Sequence, residues 1–162
     1  MQTANYARGL MRASLPYAPR TEIESHVQAR LERGKLLDRS NAPEIWAVIH
    51  EACFGITVGS PQTMAAQLTH LRDLSAGDSP VIVQVMPGSA GPHPLMYGST
   101  ILMTFDDAPS IAYNEGAHTA QLIEDPALVS NYMRSYHHVR AAALSPAASL
   151  TVLESAVRAY RT

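Results

Sequence analysis

Three dipeptides decide where most of the helices in this chain begin. Ser60-Pro61, Asp125-Pro126 and Ser145-Pro146 each set a side-chain oxygen directly before a proline. The oxygen can accept from a free N–H of the first turn. Proline suits the first helical position, because its missing N–H would have no partner there and its fixed φ fits the helix. Apolar residues then recur at helical spacing: Met64, Leu68, Leu71 and Leu74; Val129, Tyr132, Met133, Tyr136 and Val139; Leu150, Leu153, Val157 and Tyr160. Upstream, Thr21-Glu22-Ile23-Glu24 reads as a capping box that opens a helix through Ile23, Val27 and Leu31. A first short helix over about 3–14 ends before Pro16.

Strands fill the intervals. Glu44 to His50 is rich in β-branched residues, and Val81-Ile82-Val83-Gln84-Val85 is almost wholly apolar, as in a strand covered on both faces. Ser99 to Phe105 alternates Ile101, Met103 and Phe105 with Thr100 and Thr104. The turn Asp106-Asp107-Ala108-Pro109 leads to Ser110–Glu115, which predicts an antiparallel hairpin, and a last strand covers roughly Thr119 to Ile123. No linker divides the chain, so residues 1–162 are expected to form one domain. The expected class is α+β: a central, largely antiparallel sheet of about four to five strands, flanked by N- and C-terminal helix pairs.

Composition narrows the function. With 16% charged residues and a net charge of -2, the chain lacks a general electrostatic grip on nucleic acid or an anionic membrane. No apolar run reaches the roughly 18–20 residues of a membrane span, and no signal peptide is recognisable. The single cysteine, Cys53, cannot close an internal bridge, which fits the reducing cytoplasm. Flanked by Ala52 and Phe54, it reads as a small buried apolar residue rather than a nucleophile. Charge is unevenly spread. Residues 1–39 carry seven basic and four acidic side chains, residues 40–130 one and nine, and residues 131–162 four and one. An acidic middle between basic ends is read as complementarity within the fold, with a basic partner as the lesser alternative.

Candidate chemistry clusters after the apolar strand. The loop Pro87-Gly88-Ser89-Ala90-Gly91-Pro92-His93-Pro94, closed by Tyr97-Gly98, is glycine-rich but lacks the order and the following helix of a phosphate loop. It reads as a stiff connection or as a pocket cap lending His93 or Tyr97. His50-Glu51 does not open a zinc-protease motif, since Phe54 stands where the second histidine belongs. His137 and His138 project about 100° apart on a helix and cannot chelate from one face. No metal or cofactor site is therefore expected. His118 lies three residues past Glu115, near a strand end, and if the chain turns sharply there the pair could share a proton. Glu51 and Glu115 both close apolar strands. Beside apolar neighbours and Tyr113, Glu115 would have its pKa raised by desolvation; if the strand has ended there, it meets water instead. No nucleophile elbow is present.

Several segments, taken in order, carry a resemblance. They are Gln2-Thr3-Ala4-Asn5-Tyr6-Ala7-Arg8, Arg30-Leu31-Glu32-Arg33, Glu51-Ala52, the Val58-Gly59 turn and Gln67-Leu68-Thr69-His70-Leu71. Val83-Gln84-Val85-Met86-Pro87, Ala90-Gly91-Pro92-His93, Tyr113-Asn114-Glu115, and Ala143-Leu144-Ser145-Pro146 with Ser149 continue it across essentially the whole chain. The chain resembles the C-terminal, antitoxin-like effector domain, itself of unknown function, of actinobacterial XRE-type helix-turn-helix regulators. The resemblance implies a module that senses a ligand or meets a partner. Four positions depart from it: Gly55 and Ile56 replace two arginines, Gly34 a glutamine and Gly88 an aromatic residue. The chain also opens inside the resembled domain, without its helix-turn-helix. Loss of the arginines argues against an anionic partner or DNA-coupled signalling, and the shortened front edge with a small residue at Gly88 favours an open pocket.

Two functions are expected to compete. The first is a stand-alone module binding a small molecule or a protein, with no nucleic-acid or membrane contact of its own and compatible with a homodimer. Its binding residues would be Glu51, Tyr97 and Tyr113. The second is a cofactor-free tailoring enzyme of secondary metabolism, an acid–base cyclase or isomerase. There His93, Glu115 and His118 would move protons, and Tyr97 or Tyr113 would donate to a developing oxyanion.

Overall fold

A computed structural model describes residues 1–77, 79–116 and 119–161. Among these the chain forms six α-helices and five strands, an α+β architecture. It divides into two compact units: residues 1–87 together with those from Leu144 onward, and Gly88–Ala143.

The first unit opens with α1 (Ala4–Ser14) and α2 (Arg20–Gly34), continued by a 3-10 turn at Lys35–Asp38. Ala7, Met11, Ile23 and Val27 form a small core between the two helices. Outside it, the Arg8 guanidinium grips the Glu24 carboxylate through Nε and Nη2, at 2.5 and 2.9 Å. The expected capping box at Thr21 does not form. The helix starts at Arg20 without a side-chain cap, because the Pro19 carbonyl already accepts from the N–H groups of Glu22 and Ile23.

β1 (Ile45–His50) and β2 (Val81–Met86) pair in parallel, Ile45 opposite Val81 and His50 opposite Met86. Between them run the short α3 (Ala52–Gly55) and α4 (Pro61–Leu74). A helical crossover of this kind returns the chain in the same direction, as a tight turn cannot. The sequence reading grouped all five strands around one sheet; the two strands joined by a helix instead make a sheet of their own.

Among the described residues, β2 pairs with a strand on one side, and its other edge is met by side chains and by the backbone of Leu144. Ser75 Oγ accepts from the Val83 N–H at 3.2 Å, Ser149 Oγ accepts from the Val85 N–H at 2.9 Å, and the Leu144 N–H donates to the Val85 carbonyl at 2.9 Å. Buried backbone groups need such partners. α6 (Pro146–Ala159) lays Leu153 and Val157 on this strand, in a core shared with Phe54, Leu68, Leu71, Val81, Val83 and Val85.

In the second unit, β3 (Ser99–Met103), β4 (Ile111–Glu115) and β5 (Ala120–Ile123) form an antiparallel sheet in that order. α5 (Pro126–Ala142) covers one face, where Val129, Tyr132 and Met133 pack with Leu102, Ala112 and Ile123. Asn114, facing the helix, donates to the Tyr132 hydroxyl and accepts from the Thr100 hydroxyl. Gly98 sits at φ +100° with the Glu115 carbonyl 2.8 Å from where a Cβ would stand, so only glycine fits. All three dipeptide caps form: Ser60, Asp125 and Ser145 accept from the N–H groups of Thr63, Leu128 and Ala148.

Candidate functional site

The residues picked out by chemistry do not all converge. Tyr113 and Glu115 alternate onto the same face of β4, the face turned away from α5, and Glu115 is exposed to water. Tyr97 is fully exposed. It immediately precedes Gly98, which abuts the Glu115 backbone. His93 is turned into its own loop, with Nδ1 2.7 Å from the Pro94 carbonyl and its backbone N–H on Met96 Sδ. His118 lies outside the described residues. Glu51 belongs to the first unit, where its N–H donates to the Met86 carbonyl at 2.9 Å and its side chain is exposed. Cys53 is exposed, contrary to the sequence reading. The Glu51 carbonyl accepts from the Phe54 N–H and turns the chain into α3, so Phe54, not Cys53, faces inward.

The segments that carried the family resemblance have a different use. Their polar side chains bond to one another and to backbone. Gln67, buried on α4, donates through Nε2 to the Met1 carbonyl at 2.9 Å and accepts at Oε1 from the Thr3 N–H at 2.7 Å. Arg30 Nη1 donates to Gln2 Oε1 at 2.8 Å. Gln84, buried on β2, accepts from Trp46 Nε1 at 2.6 Å and donates to the Leu144 carbonyl at 2.7 Å. Gln2, Arg30 and Gln67 thus pin the extended start of the chain across α2 and α4.

That pinning frames a cavity of about 220 Å³. Leu31, Leu37 and Leu74 give it an apolar side, and Gln2, Lys35, Asp38 and His70 a polar one; Met1 and Gly34 complete the lining. A cavity of this mixed character suits a compact ligand with an apolar body and one polar group, since sites for drug-sized molecules run to about 300–1,000 Å³. Burial pushes the His70 imidazole below its ordinary pKa; the amino group of Met1 adds to this, and Asp73 opposes it. His70 is therefore neutral at pH 7, able to donate from one ring nitrogen and accept at the other.

The same shift sets a pH dependence. With the folded pKa lowered, the unfolded chain takes up the proton first as pH falls through about 6.5. Stability drops there and levels off once His70 protonates in the folded state. Thermal midpoints of the parent should fall between neutral and mildly acid pH, and His70→Gln should flatten that fall.

Sequence reasoning quoted both His70 and Gly34 but gave neither a ligand role. His70 lies inside the Gln67–Leu71 segment and Gly34 among the departures, and neither stands in a motif or spacing that signals a ligand. The two lie 36 positions apart on different helices, and only packing brings them together. Among the described residues, no group of three or more His, Cys, Asp or Glu side chains is placed to hold a metal. No helix there is long and apolar enough to cross a membrane. Comparison of the chain with curated proteins and with solved structures finds no significant match. Residues 1–155 match the family described as Domain of unknown function (DUF5753), and the chain belongs to that family.

Proposed function

We propose that this chain is a small-molecule-binding module of the effector type, with no DNA-binding activity of its own, and that its ligand occupies the cavity between the end of α2 and α4. The observation that carries this reading is that the resemblance-bearing residues Gln2 and His70 line one cavity, whose edge is braced by the bond from Arg30 to Gln2 and by the bonds of Gln67 to the Met1 carbonyl and the Thr3 N–H. Their hydrogen bonds fix the walls before a ligand arrives, which lowers the ordering cost of binding. The regulatory setting follows from the resemblance to effector domains of helix-turn-helix regulators.

Gly34 supports the reading. It sits at φ -59° and ψ -33°, a conformation open to any residue, and beyond its chain neighbours and its own helix backbone nothing lies within 4 Å of where its Cβ would stand. Glycine is thus not demanded by the backbone; what it contributes is space. The resembled domains carry glutamine here, a side chain long enough to reach into the cavity.

The test is a panel of compact aromatic and aliphatic acids, amides and alcohols, observed by saturation-transfer NMR. The parent should bind members of the panel, and Gly34→Gln should lose them while staying folded. Gly34→Ala should keep binding and gain about 0.4–1 kcal/mol of stability, because it restricts the unfolded chain without straining the folded one. Binding that survives Gly34→Gln would remove the cavity as the site. A bound compound recovered with altered mass would replace binding by turnover.

A further inference from the structure

Among the described residues of the second unit, α5 covers one face of the three-stranded sheet and no element of that unit covers the other. On the other, Ile101, Tyr113 and Leu122 stand side by side across β3, β4 and β5, with Met103 opposite Ile111 in the next row. Ile101 is 47% exposed and Leu122 53%, so apolar side chains on both edge strands meet water on either side of the half-buried Tyr113. A contiguous apolar row of this kind, unlike scattered surface leucines, marks a contact surface. The charges around it have one sign. Asp106 and Asp107 lie in the β3–β4 turn, Glu115 closes β4 and Glu124 follows β5, all exposed. The sequence has no lysine or arginine between Arg72 and Arg134.

We infer that this face docks a protein segment presenting an apolar stripe flanked by lysine or arginine. The apolar row supplies the buried centre of the contact and the carboxylates complement a basic rim, which speeds encounter and rejects acidic surfaces. The same rim repels anionic membranes and nucleic acid. It also disfavours a second copy of this chain, since a two-fold contact through one patch would face acid with acid. The inference stands on the second unit alone and is independent of the cavity.

The experiment is selection from a random linear-peptide display library on the full chain, counter-selected with the Ile101→Ser/Leu122→Ser double variant. Both side chains are about half exposed, so the variant should keep the parent's melting temperature, which is checked first. A second variant, Asp106→Asn/Asp107→Asn, changes only the exposed turn. Recovered peptides should carry net positive charge and apolar residues at regular spacing. They should bind the apolar double variant at least about tenfold more weakly and lose affinity as salt rises. The Asp-to-Asn variant should reduce that salt dependence. Failure to enrich, enrichment of acidic or uncharged peptides, or binding that survives the Ile101/Leu122 change would overturn the inference. So would a concentration-dependent dimer, seen by sedimentation, that the same change abolishes.

Discussion

Leu153→Ala is expected to cost about 2–5 kcal/mol of unfolding free energy, the range for emptying a leucine site in a closed core. Leu153 has no exposed surface and packs in the cluster formed with Val81, Val83 and Val85 of β2 and with Leu68 and Leu71 of α4. These neighbours belong to regular elements on several sides and can collapse only partly into the space, so a cavity remains. Urea unfolding should show a lower midpoint at unchanged slope, since the surface exposed on unfolding stays nearly the same. A shift of the size seen at an exposed helix position would mean that α6 does not close this core.

Ser149→Ala is the second large effect and isolates a polar contact. The hydroxyl is fully buried, accepts from the Val85 N–H at 2.9 Å and donates to the Leu144 carbonyl at 3.3 Å. Among the described residues no strand pairs with β2 on that side, so the alanine variant takes away the acceptor that the Val85 N–H has there. An orphaned buried donor costs about 1–3 kcal/mol. Ser155→Ala, which removes only an exposed contact with Arg158 one turn further along α6, should change stability by less than about 0.5 kcal/mol. Ser149 and Leu153 serve the same strand from successive turns of one helix, so their combined effect should depart from the sum. Equal losses from Ser149→Ala and Ser155→Ala would contradict the assigned role.

Much of the fold was legible because its signals are local. A capping oxygen before proline acts over one turn, and all three such pairs open helices where expected. Strand identity was legible from β-branched runs and alternation: the expected strands Glu44–His50 and Ser110–Glu115 each begin one residue before the observed Ile45–His50 and Ile111–Glu115 and end at the same residue. Pairing was less so. That β1 and β2 form a separate parallel sheet depends on where α4 packs, a long-range matter that neither strand encodes. Two local readings also failed for local reasons: Pro19 pre-empted the cap at Thr21, and a turn at Glu51 exchanged the exposures of Cys53 and Phe54.

The site was less legible than the fold. Reasoning from chemical type favoured His93, Glu115 and the tyrosines, because residues able to move protons attract notice wherever they stand. Placed in the fold, Tyr97 and Glu115 are exposed, while the buried polar positions fall to Gln67, Gln84 and Ser149, which carry no catalytic signature. Their pattern was visible only as resemblance. What it encodes is a framework; where Gln67 ties down the start of the chain, His70 and Gly34 line the same cavity.

The central claim, a ligand seated in that space, is tested most directly by following methyl and imidazole resonances of the full chain while a panel compound is added. The account predicts saturable shifts at Leu31, Leu37, Leu74 and His70, none at Ile101 or Leu122, and loss of all of them in Gly34→Gln. Shifts confined to residues outside the cavity, or shifts that persist in Gly34→Gln, would contradict it.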